Sequence, residues 1–430
     1  MEKNIIRTNQ LKGIITPPGD KSISHRALMF NAIADKKARI TGLLESDDIQ
    51  STIDCLKLLG VDIKQHAKGI YDVKGVGING LQLPSENLNC GNSGTTMRLL
   101  IGLLSSINGQ VRLVGDQSLQ SRPMDRVYDY LNQIGGKISS ENKNGCAPII
   151  IEGSKIKNND PIKLKIASAQ IKSAILLASL TSRSRLELIE PIKSRDHSER
   201  LLIAMGVDIQ VDDKKIKIED FPSNLQSLDI EIPGDISAAA PWIVAALIHP
   251  NAEIQINNVG LNATRAGIID IFLEMGGNIS IMNKRVIGNE EVADLIVRSS
   301  ELNGVSINKE LIPRAIDEIP LVALAACFAK NKTTINDIDE LKVKESNRLV
   351  NTIDILSKFG GNVTSQNNKL IIHGVSKLNG CRLICNIDHR MIMLAGIAAC
   401  VSEGESTLIN VESVGVSYPN FWDDFHSLVQ

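Results

Sequence analysis

The apolar positions of this 430-residue chain fall into two kinds of helical run, which alternate and repeat. One kind has apolar residues at i, i+4, i+7 and i+10, ends in glycine and passes straight into a strand. Ile49, Ile53, Leu56 and Leu59 lead in this way into Gly60-Val61-Asp62-Ile63. The pattern predicts the same helix, turn and strand over residues 131–138, 203–209, 273–279 and 349–363, with the turn glycine at 135, 206, 276 and 360. A sixth copy over residues 421–429 stops without its strand. The other kind is an apolar, Ala-rich helical run. It follows Lys21-Ser22, Asn92-Ser93-Gly94, Ser168-Ala169-Gln170, Gly234-Asp235, Asp317-Glu318 and Asp388-His389-Arg390 in turn. Markers at 20, 92, 168, 235, 317 and 388 lie between 67 and 82 residues apart, longer than a solenoid repeat and the size of a complete βαβαββ unit. The chain reads as six repeated subdomains.

At 43% hydrophobic content this length exceeds a single core, so two domains of about 200 residues, three modules apiece, are expected. Residues 1–8 lack signal-peptide character, and the longest apolar run, residues 391–401, is too short to span a bilayer. These features point to a soluble, cytoplasmic protein. The seven cysteines are scattered; only Cys381 and Cys385 lie close, with no Cys/His pair to complete a zinc site, so buried thiols are expected and no metal. A formal charge of −2 and 3% aromatic residues argue against a nucleic-acid surface.

The candidate chemistry sits at the starts of the helices. A helix N-terminus offers unpaired N–H groups and a partial positive charge, so several such ends converging would hold an anion. Here they also carry cations. Lys21 and Arg26 lie in Gly19-Asp20-Lys21-Ser22-Ile23-Ser24-His25-Arg26, and Arg98 in Gly91-Asn92-Ser93-Gly94-Thr95-Thr96-Met97-Arg98. Arg122 precedes Pro123, a good first helical residue, and Arg195 lies in Ser194-Arg195-Asp196-His197-Ser198-Glu199-Arg200. Lys344, Glu345 and Arg348 share Val343-Lys344-Glu345-Ser346-Asn347-Arg348, and Arg390 ends Asp388-His389-Arg390. On a chain of near-zero net charge this placement suggests a focused site for a multiply anionic small ligand.

An arginine at a helix start is more often a solvated surface group, but Lys21, Ser168, Gln170, Asp317 and Arg390 fall at one point of the repeat, so if one lines a cleft all should. Asp317 and Glu345 read either as capping carboxylates or as general acid/base groups set among cations. His25, His197 and His389 read as structural. Arg98 reads as a ligand contact or a brace for the turn at 92–96, and Gly94 as a point of close backbone approach to a ligand.

The runs 19–26, 91–98, 121–124, 168–170, 194–200, 316–318, 343–348 and 388–391 resemble, in order and over the whole length, those of the 3-phosphoshikimate 1-carboxyvinyltransferase (5-enolpyruvylshikimate-3-phosphate synthase) family. The resemblance implies an α/β fold, a two-domain inside-out α/β barrel of six βαβαββ modules around buried parallel helices. It implies domains at 14–231 and at 1–13 with 232–430, crossing near 12–15 and 229–234, and an active site in the cleft between them. It implies that Lys21, Ser22, Arg26, Ser168, Ala169, Gln170, Arg195, Asp317 and Lys344 bind shikimate 3-phosphate, and that Lys21, Gly94, Arg122, Gln170, Arg348 and Arg390 bind phosphoenolpyruvate. Lys21, Asp317 and Glu345 are then the catalytic groups. No metal or organic cofactor, nucleic acid or membrane is implied, and a monomer is expected.

Ala169 in the Ser168-Ala169-Gln170 run, Glu340, and Val416 where the best-known branch places a lysine resemble the second class of the family, which includes glyphosate-tolerant forms. Gly94 is the residue usual in sensitive enzymes. The related transferase acting on UDP-N-acetylglucosamine relies on a loop cysteine, whereas the corresponding stretch here is Gly115-Asp116-Gln117-Ser118. A non-catalytic repeat scaffold would need no acids and bases at its module starts.

Overall fold

The computed structural model describes residues 1–158, 160–385 and 388–429. All six Ala-rich runs are helices: Lys21–Ala32, Gly94–Leu104, Ala169–Ser182, Ile236–Ile248, Ile319–Ala326 and His389–Val401. Their apolar character on every side is matched by burial on every side; Ile236–Ile248, for instance, is buried at each position. Five begin at a side chain that accepts from a backbone N–H two or three residues on: Asp20 from Ile23, Ser93 from Thr96, Ser168 from Ile171, Asp235 from Ser237 and Asp388 from Arg390. The amphipathic runs form the second helix of each module, and Gly60, Gly135, Gly206, Gly276 and Gly360 behind them all have φ between 87° and 104°. That left-handed backbone is why glycine recurs there.

The second module shows the repeat in full. Strand Leu88–Asn89 leads to helix Gly94–Leu104, strand Gln110–Val114, helix Asp125–Gln133 and the hairpin Lys137–Ser140 with Ile149–Glu152. The first two strands pair in parallel, and the second pairs antiparallel with Ile149–Glu152. The third and fifth modules repeat this order. The first and fourth instead take their edge strand from a distant part of the chain, Ile230–Glu231 beside Lys37–Thr41 and Leu11–Ile15 beside Ala252–Gly260, both parallel. In the sixth, Arg382–Ile384 and Glu405–Ile409 are joined by Glu2–Ile6, so the N-terminal strand fills the place the sixth copy leaves empty.

The chain divides into two compact units, one of Met1–Pro18, Pro233–Val286 and Glu291–Gln430, the other of Gly19–Ile232 with Ile287–Glu290. Each has its own hydrophobic core. The first change of unit therefore falls at 18–19 rather than 13–14, because Ile14 and Ile15 pair with Gln255 and Ile256 and stay with the first unit. The second falls at 232–233, one residue later than expected, and the short turn 287–290 was not foreseen as part of the other unit. There Glu290 is buried against His197 Nδ1 at 2.7 Å.

Candidate functional site

In the unit built on residues 19–232, Lys21 opens its helix, and its ammonium donates to Asp48 Oδ2 at 2.9 Å. Asp48 opens the next helix, Asp47–Leu58, so a module's two helix starts are tied by one ion pair. Behind it runs a buried relay of short contacts: His25 Nδ1 to Thr52 Oγ1, Thr52 Oγ1 to Thr96 Oγ1 and Thr96 Oγ1 to Ser93 Oγ, each 2.7 Å. Burial, aided by the positive charges of Lys21 and Arg26, pushes the His25 imidazole well below its ordinary range and keeps it neutral.

Arg26 is nearly sealed from solvent. Its guanidinium donates to Ser198 Oγ and Ser173 Oγ at 2.7 Å each, to the Ser22 carbonyl at 2.9 Å and towards the Ala169 carbonyl at 3.5 Å. Burial lowers its pKa to about 10, with the nearby charge of Arg195 adding and those of Glu199 and Asp20 opposing. It remains a cation, and it joins residues 22, 169 and 195 into one neighbourhood.

Gln170 forms a second group. Arg98 Nη1 donates to Gln170 Oε1 at 2.7 Å, and Gln170 Nε2 donates to Thr95 Oγ1 at 2.9 Å. Arg98 thus orients the amide as well as reaching the Pro123 carbonyl. Arg122 Nη1 donates to the Asn92 carbonyl at 3.1 Å. A Cβ on Gly94 would lie 3.0 Å from the Arg122 guanidinium carbon and 3.1 Å from Arg98 Nη1, so glycine lets two arginines close over this helix start. Arg122 itself is extended and follows the short helix Leu119–Ser121. The next helix begins at Asp125, not Pro123, and the N–H groups of Met124 and Asp125 both donate to the Gly145 carbonyl.

The other unit gathers the acidic candidates. Arg348, 1% exposed, donates through Nε to Asp388 Oδ2 at 2.9 Å, through Nη1 to Asp317 Oδ1 at 3.0 Å and through Nη2 to Glu345 Oε2 at 2.5 Å. Burial opposes its charge, but Asp388, Glu345 and Asp317 together more than restore it and raise its pKa. Burial likewise works against ionised Asp388, yet Arg348 holds it below the usual carboxylate range. Asp317 also faces Lys344 at 3.4 Å and Arg265 at 3.6 Å. Arg265 continues inward to Asp235 and Ser237, and Ser237 Oγ donates to the wholly buried Glu318, which Arg390 approaches at 3.6 Å. The helix Arg348–Lys358 is capped by Asn347 rather than by Glu345.

Sequence reading missed Asp48, Arg265 and Lys172, whose partners come from other stretches of chain. Lys172 did leave a signal: it is the one charged residue in its helix, Ala169–Ser182. All seven cysteines are unpaired; five are buried, and burial pushes Cys327 and Cys400 up to about 12. Among the described residues no cluster of three or more His, Cys, Asp or Glu could hold a metal ion, and no helix is long and apolar enough to cross a membrane.

A 3-phosphoshikimate 1-carboxyvinyltransferase of Prochlorococcus marinus is 44% identical over 422 residues, 97% of this chain and 96% of the relative. One of Herpetosiphon aurantiacus is 43% identical over 99% of both chains. A solved structure of EPSP synthase from Acinetobacter baumannii superposes with a TM-score of 0.88 at 36% identity, covering 100% of this chain and 98% of that one. The EPSP synthase (3-phosphoshikimate 1-carboxyvinyltransferase) pattern matches residues 5–425, and the chain belongs to that family.

Proposed function

We infer that the protein transfers the enolpyruvyl group of phosphoenolpyruvate to the 5-hydroxyl of shikimate 3-phosphate, releasing phosphate and 5-enolpyruvylshikimate 3-phosphate. One geometric observation supports this beyond family membership: a single buried guanidinium, Arg348, holds both Asp317 and Glu345. The reaction needs two proton transfers close together. The substrate hydroxyl must lose a proton as its oxygen attacks C2 of phosphoenolpyruvate, while C3 gains one to give a tetrahedral intermediate. Loss of a C3 proton with the phosphate then forms the vinyl ether. Asp317 and Glu345 are placed in these acid/base roles, Arg348 fixing their separation.

Shikimate 3-phosphate is assigned to Lys21, Ser22, Arg26, Ser168, Ala169, Gln170, Arg195, Asp317 and Lys344. Phosphoenolpyruvate is assigned to Lys21, Gly94, Arg122, Gln170, Arg348 and Arg390. Lys21 stabilises the departing phosphate. Gly94 supports the second assignment, since its missing side chain keeps Arg122 against the helix start. The enzyme is taken to act as a cytoplasmic monomer. Incubation with both substrates should release phosphate, and either alone should not; no release from the pair would favour a non-catalytic scaffold.

A further inference from the structure

Lys172 is wholly buried, 0% exposed, in a helix whose first turn carries Ala169 and Gln170. Its ammonium lies 3.0 Å from Glu190 Oε2, 2.8 Å from Glu199 Oε1 and 3.3 Å from the Ser194 carbonyl oxygen. All three acceptors belong to residues 190–199, the stretch that leaves strand Leu186–Ile189 and enters helix His197–Ala204. Ser194 also donates to Glu190 through both its N–H and its hydroxyl. The residue next to this knot is Arg195. Three residues further on, Ser198 accepts from Arg26.

A side chain with no exposed surface cannot touch a ligand, and buried charges persist only when they balance. Here both carboxylates, Glu190 and Glu199, stand against Lys172, and Glu199 also acts on Arg26, whose field Asp20, Glu290 and Arg195 share. Burial drives Glu199 towards its neutral form and Lys172 opposes that drive; Lys172 itself stays charged because its two carboxylates outweigh its own burial. Without Lys172 the buried Glu199 carboxylate would be left acting on Arg26, competing with an incoming anion for its field.

We propose that Lys172 is a positioning residue for shikimate 3-phosphate: it ties Glu190 and Glu199, fixes the stretch that bears Arg195, and balances the carboxylates that would otherwise neutralise Arg26 and Arg195. This rests on the assignment of those two arginines to that substrate. Replacing a merely structural lysine would lower stability and leave the KM for shikimate 3-phosphate unchanged.

The test is a charge ladder read by steady-state kinetics on the full chain, comparing wild type, K172M, E199Q and K172M/E199Q. In K172M the KM for shikimate 3-phosphate should rise about tenfold or more, with kcat and the KM for phosphoenolpyruvate moving less than about threefold. In K172M/E199Q, where the Glu199 charge acting on Arg26 is gone as well, the KM should return to within about threefold of wild type and stay above that of E199Q, as replacement of a whole buried pair permits. E199Q alone should lower it by about threefold. An unchanged KM in K172M, or a double variant no better than K172M, overturns the proposal. Should K172M fail to fold, E199Q and the double variant differ only in the Lys172 charge, and equal KM values for the two overturn it. A wild-type chain that releases no phosphate sinks the function and this proposal together, whereas an active wild type with an indifferent K172M sinks this proposal alone.

Discussion

Three carboxylates around one arginine make Glu345 the most informative residue to change. Glu345→Gln keeps an acceptor oxygen for Arg348 Nη2 and removes the exchangeable proton, so turnover should fall by about 10²-fold or more while KM values change far less. Steady-state kinetics checks this, and a loss confined to KM would make Glu345 a binding residue only. His25 gives a pH dependence of definite sign. Its folded pKa lies below the ordinary 6.5, so in the window below 6.5 the unfolded chain binds a proton that the folded chain refuses. Stability from this group is therefore intact above that window and drains away as pH falls through it, by up to about 1.4 kcal/mol per pH unit. Chemical denaturation at pH 7.5 and 5.5 should show a smaller loss for His25→Gln than for wild type; parallel losses would contradict the buried neutral imidazole. At this scale Lys21 and Asp317 were readable because they fall at one point of a repeat, and Arg26 and Arg348 because they lie in motifs at helix starts. It hid Asp48 and Arg265, since an ion pair between distant positions leaves no periodic trace.

The helices of both kinds were legible because each has its own signature, apolar on all sides or along one stripe with a terminal glycine. Starts were harder to read than ends. Pro123 favours a first helical turn, yet the helix begins at Asp125, with the N–H groups of Met124 and Asp125 donating to the Gly145 carbonyl. The turn glycines offer the cleaner test. Gly276 has φ +87° and nothing closer than 3.6 Å to an added Cβ, so Gly276→Ala suffers backbone strain and no clash. It should lower stability by about 1 to 2 kcal/mol. Gly415, with open space around its Cβ position and no left-handed backbone, is the matched control and should be near neutral as alanine. Equal urea midpoints for the two variants would contradict the role given to the turn glycines.

For the whole molecule, six modules and two units follow from length and period, but the exchange of strands does not. The first module borrows Ile230–Glu231, the fourth Leu11–Ile15 and the sixth Glu2–Ile6, and each loan is a pairing of strands far apart in sequence. Strands of two to five residues with mixed composition carry too little pattern to announce such partners, which is also why the first unit boundary lay five residues beyond its expected place. The chemistry proposed for the molecule makes a sharper demand than phosphate release alone. Addition and elimination at C2 break the carbon–oxygen bond of phosphoenolpyruvate, so its bridging oxygen must leave with the phosphate; a phosphoryl transfer would break the phosphorus–oxygen bond instead and leave that oxygen on pyruvate. Phosphoenolpyruvate labelled with heavy oxygen at the bridge, turned over by the wild-type chain with shikimate 3-phosphate, separates the two by mass spectrometry. Label recovered in inorganic phosphate, together with an enolpyruvyl ether of shikimate 3-phosphate, is the expected result; label retained in pyruvate, or no turnover, would contradict enolpyruvyl transfer.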